Sequence, residues 1–289
     1  MLNKNIETFI GCEAEYEDAR VVIFGAPFDS TTSFRPGARF GCRAIRSESF
    51  GLETYSPYQD KDLADYAVFD SGDVELCIGD AARALKQLEE RAGIIVEDGK
   101  IPFMLGGEHL VTLAAVRAVV KRHLNLAILH FDAHADLRDD YLGAKLSHAC
   151  VLRRCWELLG DGNIYQFGIR SGDREEFHWS RQGHVHTQLF NFSGLGETLE
   201  LLKGRPVYLT VDLDVLDPSV LPGTGTPEAG GLTFMELLSA ALAACESLNI
   251  VGCDVNELCP AYDPSGVSTA TAGKIVREML IGLCSKEEK

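Results

Sequence analysis

Short apolar runs alternate with longer amphipathic runs along most of the chain. The short runs are apolar at nearly every position instead of every second one, which predicts strands that are buried on both faces. The clearest predicted strands are residues 21–27, 101–107, 126–132, 164–170, 207–214 and 250–257. Residues 66–73 and 184–190 are weaker strand candidates, because polar residues interrupt them.

The longer runs repeat their apolar residues at helical spacing, as Leu85, Leu88, Ala92 and Ile95 do in the first of them. The predicted helices are residues 81–97, 109–122, 148–159, 195–203, 233–247 and 266–283. Strands and helices that alternate in this way are typical of an α/β fold with a parallel sheet covered by helices. Since no low-complexity linker or break in composition interrupts the pattern, we expect one domain over residues 1–289.

Metal-binding side chains follow one of the predicted strands. In LAILHFDAHAD (126–136), an apolar run ends in Asp132, His134 and Asp136, at every second position. Residues i, i+2 and i+4 of an extended chain share one side. In open parallel sheets, sites lie beyond the carboxyl ends of the strands, and this is where the three side chains stand.

Two further strands end in the same manner. VYLTVDLD finishes with Asp212 and Asp214, and IPFMLGGEHL finishes with two glycines that permit a tight turn before Glu108 and His109. Four carboxylates brought together here would repel one another unless cations neutralised them. Carboxylate and imidazole ligands without thiolates favour Mn²⁺ over Mg²⁺, Zn²⁺ or Co²⁺, and two such ions can share a bridging hydroxide. The alternative interpretation of a single aspartate at a strand end is a turn or a helix cap, which we assign to Asp217 before Pro218.

Charge and cysteine content restrict the function further. Lys plus Arg number 27 and Asp plus Glu 43, a net charge of −16, which argues against nucleic-acid binding. The negative charge is compatible with a cationic substrate, although on charge alone simple solubility is the favoured explanation. The nine cysteines include no C-x-x-C pair and indicate a reducing compartment, most simply the cytoplasm. No apolar window is long enough to span a membrane, and the charged N-terminal stretch does not have the pattern of a signal peptide.

Six segments, in order along the chain, resemble the ureohydrolase family of arginases and agmatinases, and its agmatinase branch most closely. They are SFRPGARFGCRAIR (33–46), GGEHL (106–110), HFDAHADLR (130–138), LSHA (146–149), VDLDVLDPSVLPGTGTPEAGGL (211–232) and DVNELCPAYD (254–263). The resemblance implies a three-layer, arginase-like α/β fold whose mainly parallel eight-stranded sheet lies between helices. It also implies a homo-oligomer, a trimer or a hexamer. It further implies two Mn²⁺ per subunit, bound by His109, Asp132, His134, Asp136, Asp212 and Asp214.

The same resemblance implies a reaction and roles for further residues. The reaction is hydrolysis of a guanidinium group to urea and an amine, by attack of a metal-bridging hydroxide on the guanidinium carbon. The position of Glu257 matches the guanidinium-binding glutamate, and His148 matches the histidine that shuttles protons to the leaving amine. Asp136 is placed to hold the proton of the hydroxide, and Thr226 is expected to line the substrate pocket. His130 is interpreted as a structural or supporting residue instead of a ligand.

The substrate is inferred from the loop that follows the second aspartate. LRDDYLGAKLSHA (137–149) resembles the agmatinase loop and lacks the longer Asn- and Ser-bearing pattern of arginases. We therefore expect agmatine as the substrate, with putrescine and urea as products, and Asp139, Asp140 or Glu228 as candidates to bind its distal amine. The alternatives are guanidinobutyrate or arginine as the substrate, or a non-catalytic metal-binding protein.

Overall fold

A computed structural model describes residues 2–286 and contains ten strands. They are β1 (Val21–Gly25), β2 (Tyr55–Ser56), β3 (Lys61–Asp62), β4 (Val68–Asp73), β5 (Ile101–Leu105), β6 (Ala127–Phe131), β7 (Ile164–Ile169), β8 (His186–Leu189), β9 (Pro206–Asp212) and β10 (Asn249–Asn256). Eight of them form one parallel sheet in the order β4-β1-β5-β10-β9-β6-β7-β8, while β2 and β3 form a separate antiparallel pair. The expected eight-stranded parallel sheet is confirmed.

Eight α-helices lie within the described residues. They are α1 (Gly41–Ser49), α2 (Ala81–Glu97), α3 (Thr112–Val120), α4 (Val151–Leu159), α5 (Arg174–Trp179), α6 (Leu195–Leu202), α7 (Phe234–Ser247) and α8 (Val267–Cys284). Successive strand residues alternate between two apolar cores, as Ile128 and Leu129 do in β6. Helices α2, α3 and α4 contribute to the core on one face, and α1, α6, α7 and α8 to the core on the other. This arrangement confirms the three-layer α/β fold.

The sequence sets several helix boundaries by capping. The Asp80 side chain accepts a hydrogen bond from the Arg83 amide and begins α2 at the predicted residue. Thr233 and Glu236 form a reciprocal capping box at the start of α7. The predicted helices 109–122 and 148–159 begin instead with 3₁₀ turns, His109–Val111 and His148–Cys150, so that both histidines stand before the α-helix proper.

Helices α1 and α5 and the two-residue strands β2 and β3 were not predicted from the sequence. Helix α5 has six residues, too few to show a periodicity, and it depends on the capping box of Asp173 and Glu176. Strand β8 lies at the edge of the sheet with its residues partly or fully exposed, which explains the weak signal of residues 184–190. Within residues 2–286, no helix combines the length and apolar character needed to cross a membrane.

The order of the strands determines where the site forms. Strands β5, β10, β9 and β6 are consecutive neighbours in the middle of the sheet. Because they are parallel, their carboxyl ends meet at one edge, where the chain leads into His109, Glu257, Asp214 and Asp132. The ends of β5, β6 and β9, which carry the predicted metal ligands, thus lie next to the end of a fourth strand, β10, which leads into Glu257.

Candidate metal-binding active site

The imidazole of His109 stands among three carboxylates. Its Nδ1 lies 3.0 Å from Oδ2 of Asp132, 3.1 Å from Oδ2 of Asp136 and 3.4 Å from Oδ2 of Asp212. His134 extends the cluster, with Nδ1 3.0 Å from Oδ2 of Asp214 and 3.6 Å from Oδ1 of Asp132. The structure therefore brings together all six side chains that the sequence predicts as ligands: His109, Asp132, His134, Asp136, Asp212 and Asp214.

Burial makes the charges of this cluster costly. Asp132, Asp212 and Asp214 are at most 2% exposed. Burial and the neighbouring carboxylates raise the pKa of Asp212 well above its usual range, and burial raises the pKa of Asp136 to about 7. Burial opposes ionisation of Asp132 as well, but the adjacent histidines hold its pKa well below the ordinary value. Without cations, the cluster therefore needs protons to offset its repulsion.

The state of His109 provides a test of whether a metal ion fits. Its Nε2 lies 2.9 Å from Oγ1 of Thr210, which can accept the ring proton. Its Nδ1 is a buried nitrogen with no hydrogen-bond partner in the described part of the chain, although it faces three carboxylates. A ring protonated at Nε2 directs the Nδ1 lone pair at the acidic oxygens, which is the tautomer that a divalent cation requires. The donor set fits such a cation.

His130 supports this cluster from the strand. Its Nε2 lies 2.7 Å from Oδ2 of Asp132, and Nε2 of Gln166 lies 3.1 Å from its Nδ1. Ligand atoms of His109, His130 and Asp132 lie within 4.8 Å of one another, as do those of Asp132, His134 and Asp214. Because both nitrogens of His130 already have hydrogen-bond partners, this histidine orients Asp132, in agreement with its interpretation as a supporting residue.

Glu257 joins the ends of β10 and β5. Its backbone amide donates to the Gly107 carbonyl at 2.9 Å, and its Oε1 accepts from the His109 amide at 2.7 Å. Gly107 also packs closely against the backbone of Phe28. A Cβ at Gly107 would lie 2.0 Å from the Phe28 carbonyl oxygen, so only glycine allows these two backbone segments to approach so closely. Glu257 adopts φ of 66°, a left-handed conformation that is costly for a non-glycine residue and is typical of functional sites.

Glu257 is buried, with 5% of the residue exposed. Burial, together with the negative charges of Glu108 and Asp214, raises its pKa well above the usual range. Thr226 contacts the metal-ligand cluster instead, because its Oγ1 donates to the Asp214 carboxylate at 3.2 Å. A buried acid of this kind is stabilised by a cation placed against it.

His148 faces the site from the other side of a cleft. Its Nδ1 lies 2.9 Å from the Thr31 carbonyl oxygen and its Nε2 lies 3.2 Å from Oγ of Ser33. Since a carbonyl can only accept, Nδ1 carries the proton and Nε2 is left with its lone pair. Burial lowers the pKa of His148 to about 4. The cleft has a volume of about 190 Å³ and is lined by residues that include Ser33, His134, Asp136, Tyr141, His148 and Thr226.

The three candidates for binding the distal amine differ in their contacts, and all three stay predictions. Asp139 is paired with Arg154, and the Asp140 carboxylate accepts from the Gly143 amide, and both line a neighbouring cavity instead of the cleft. The pattern of the loop did not show which way these side chains point. Oε1 of Glu228, by contrast, lies 3.9 Å from Nε2 of His134.

Several residues that line the cleft were not predicted as site residues: Ser33, Arg138, Tyr141, Ser171 and Glu176. Ser33 and Tyr141 lie in segments that resemble the arginase and agmatinase family. A serine or tyrosine alone carries no signal of such a position, and only the resemblance of the surrounding segments marked them for attention.

The sequence profile described as the arginase family matches residues 19–282. The chain therefore belongs to the arginase family, which confirms the resemblance and the arginase-like fold. The particular relatives are more informative. The agmatinase of Bacillus subtilis (strain 168) is 49% identical over 278 residues, with 96% of each chain covered. The guanidinobutyrase of Pseudomonas aeruginosa is 35% identical, covering 92% of this chain and 87% of its own. The crystal structure of the agmatine ureohydrolase of Thermoplasma volcanium has a TM-score of 0.88 at 35% identity, covering 96% and 94% of the two chains.

Proposed function

We propose that this enzyme is an agmatinase, which uses two Mn²⁺ ions to hydrolyse agmatine to putrescine and urea. The observation that carries the proposal is the buried cluster of four aspartates and two histidines beside a further buried acid, Glu257. The cluster has the charge and donor set for two divalent cations, and Glu257 has the charge for a guanidinium. The 49% identity to an agmatinase supports the choice of substrate.

The donor set favours Mn²⁺, because it combines carboxylates with imidazoles and contains no thiolate. Two divalent ions bound among these six side chains would neutralise the carboxylates and lower the pKa of a water molecule, which can then act as a nucleophile at neutral pH. Asp136 lines the cleft as well as the cluster, and is placed to accept the proton of that water molecule.

Glu257 is the residue to which we assign guanidinium binding. A guanidinium is always protonated and has only N–H donors. The His109 amide occupies Oε1 of Glu257, which leaves Oε2 to accept a charge-assisted hydrogen bond from the substrate. We assign Thr226 to the substrate pocket, because it lines the cleft and its Oγ1 lies 3.2 Å from the Asp214 carboxylate.

His148 is the residue to which we assign proton transfer to the leaving amine. Its Nε2 faces the cleft without a proton, because Nδ1–H donates to the Thr31 carbonyl. The low pKa that burial gives this ring makes its protonated form a strong acid, which favours transfer to an amine. The ring is thus placed to take a proton from the site and to release it at the departing nitrogen.

The charge of the cleft wall bears on the choice between two guanidines. Arg138 lines the cleft and would attract the carboxylate of guanidinobutyrate, the substrate that the name of the Pseudomonas relative indicates. However, its side chain lies 3.3 Å from Glu176 and 3.5 Å from Asp173, so its charge is already offset. Glu228 adds a negative charge next to His134 and Ser171, which line the cleft, and this charge suits the cationic end of agmatine.

The test is urea release by the Mn²⁺-loaded protein from agmatine, guanidinobutyrate and arginine. We expect kcat/KM for agmatine to exceed the other values by about tenfold or more, since one well-placed charge is worth roughly 1.4 kcal/mol. A preference for guanidinobutyrate would contradict agmatine as the substrate but would support the proposed hydrolysis of a guanidinium group. Failure to release urea from any of the three would refute the function.

The proposal includes the assembly and setting of the enzyme. We propose a single-domain chain that forms a trimer or hexamer and works in the cytoplasm. Light scattering after size-exclusion chromatography measures the assembly, and a monomer mass of 31.6 kDa in solution would contradict it.

A further inference from the structure

Thr31, in the chain that follows β1, contacts both the ring and the backbone of His148. The Thr31 carbonyl oxygen lies 2.9 Å from Nδ1 of His148, and Oγ1 of Thr31 accepts from the His148 backbone amide at 3.2 Å. Thr31 therefore contacts both the backbone and the ring of the histidine, while Oγ of Ser33 lies 3.2 Å from the other ring nitrogen, Nε2. The ring contact also sets the tautomer, because only Nδ1–H can donate to a carbonyl.

Thr31 is held in turn by a buried acid. Glu108 is fully buried and accepts from the Thr31 amide at 2.9 Å, from the Thr31 hydroxyl in a short bond, and from the Thr32 hydroxyl at 3.0 Å. The Thr31 hydroxyl thus donates to Glu108 while it accepts from His148. The Glu108 amide donates to the Phe28 carbonyl at 2.7 Å, which ties the chain that follows β1 to the end of β5.

We propose that Glu108 and Thr31 are positioning residues that act through His148, by fixing its tautomer and directing Nε2 into the cleft. The inference rests on the proposed function, in which His148 transfers a proton. Burying a carboxylate is costly unless its oxygens are bonded, and both oxygens of Glu108 accept hydrogen bonds from Thr31 or Thr32, of which Thr31 contacts His148. Glu108 therefore bonds to the residues beside His148, although it precedes the proposed metal ligand His109 in sequence.

Thr31→Val tests the link, because valine has the shape of threonine without the hydroxyl. We expect kcat to fall about tenfold or more, since a small displacement of a general acid has effects of this size. KM should change less than about threefold, because the guanidinium is bound elsewhere. Thr31→Ser restores the hydroxyl and should recover most of kcat. Thr32→Val removes another hydroxyl that donates to Glu108, but Thr32 has no hydrogen bond to His148. Its kcat should therefore fall less than that of Thr31→Val.

A double-mutant cycle separates positioning from a general structural role. In a His148→Asn background, Thr31→Val should lower kcat less than about twofold, because the residue that it positions is absent. Equal losses in both backgrounds would overturn the proposal. So would wild-type kcat in Thr31→Val. The Mn²⁺ content of each variant should equal that of the wild type, and a loss confined to metal content would assign the effect to His109 instead.

The crystal structure of Thr31→Val provides a readout that does not need turnover. We expect the His148 ring to leave its 2.9 Å contact with the residue 31 carbonyl, and to return to it in Thr31→Ser. A ring that keeps the contact in Thr31→Val would refute the inference even if the wild type hydrolyses agmatine. If the wild type released no urea while the ring moved as expected, the proposed function would fail and the positioning would stand.

Discussion

Replacement of Glu257 by glutamine isolates the charge that we assign to guanidinium binding. Glutamine keeps the shape of the side chain and an oxygen that can accept from the His109 amide, now 2.7 Å away. It removes the negative charge from a residue that is only 5% exposed. Because the proposed partner is a guanidinium in a desolvated pocket, the substitution removes one partner of a buried charge pair. The expected loss of transition-state binding free energy is that of such a removal.

Such losses are about 2–4 kcal/mol. At 1.36 kcal/mol for each tenfold change, this corresponds to a fall in kcat/KM of roughly 30-fold to 1,000-fold. KM should rise and kcat should fall, because the contact is present in the bound substrate and is stronger in the transition state. The assay is urea release from agmatine by Mn²⁺-loaded protein, with metal content measured in parallel.

The matched control is Glu246→Gln, which removes the same charge from an exposed residue of α7 outside the cleft. Its kcat/KM should equal that of the wild type. If Glu257→Gln remained within about threefold of the wild type at full metal content, the assignment of guanidinium binding to this residue would be refuted.

Two further predictions concern stability. Burial raises the pKa of Asp136 to about 7, so the folded metal-free protein binds this proton more tightly than the unfolded chain does. The metal-free wild type should therefore lose stability relative to Asp136→Asn as pH rises from about 4 to about 7; a Tm difference independent of pH would contradict this. Tyr208→Phe removes a hydroxyl that donates to Asp254 at 2.6 Å, with both residues fully buried. The free energy of unfolding in denaturant should fall by about 1.5–3 kcal/mol, and a change under about 0.5 kcal/mol would show that the other partners of Asp254 suffice.

The fold was largely predictable because its strands and longer helices carry strong hydrophobic patterns. The helix predicted over residues 81–97 matches α2 residue for residue, since a regular apolar stripe and the Asp80 cap coincide. The 3₁₀ turns before α3 and α4 could not be predicted, because they depend on where His109 and His148 are held by distant residues. The prediction of one domain over residues 1–289 stays a prediction.

The ligand cluster was predictable for a different reason. Alternation of Asp132, His134 and Asp136 after an apolar strand indicates a row of ligands, and parallel strands bring such rows together. The contacts that hold His148 were not predictable. Thr31 is 77 residues from Glu108 and 117 residues from His148, and their meeting depends on the pairing of β1 with β5 and on the path of the loops.

The central claim is that the acidic cluster exists to hold two divalent cations. Anomalous diffraction from a crystal grown with Mn²⁺ tests it most directly. We predict two manganese peaks among His109, Asp132, His134, Asp136, Asp212 and Asp214, with Nδ1 of His109 directed at one of them. An ordered cluster without anomalous peaks, in a crystal saturated with the metal, would contradict the account.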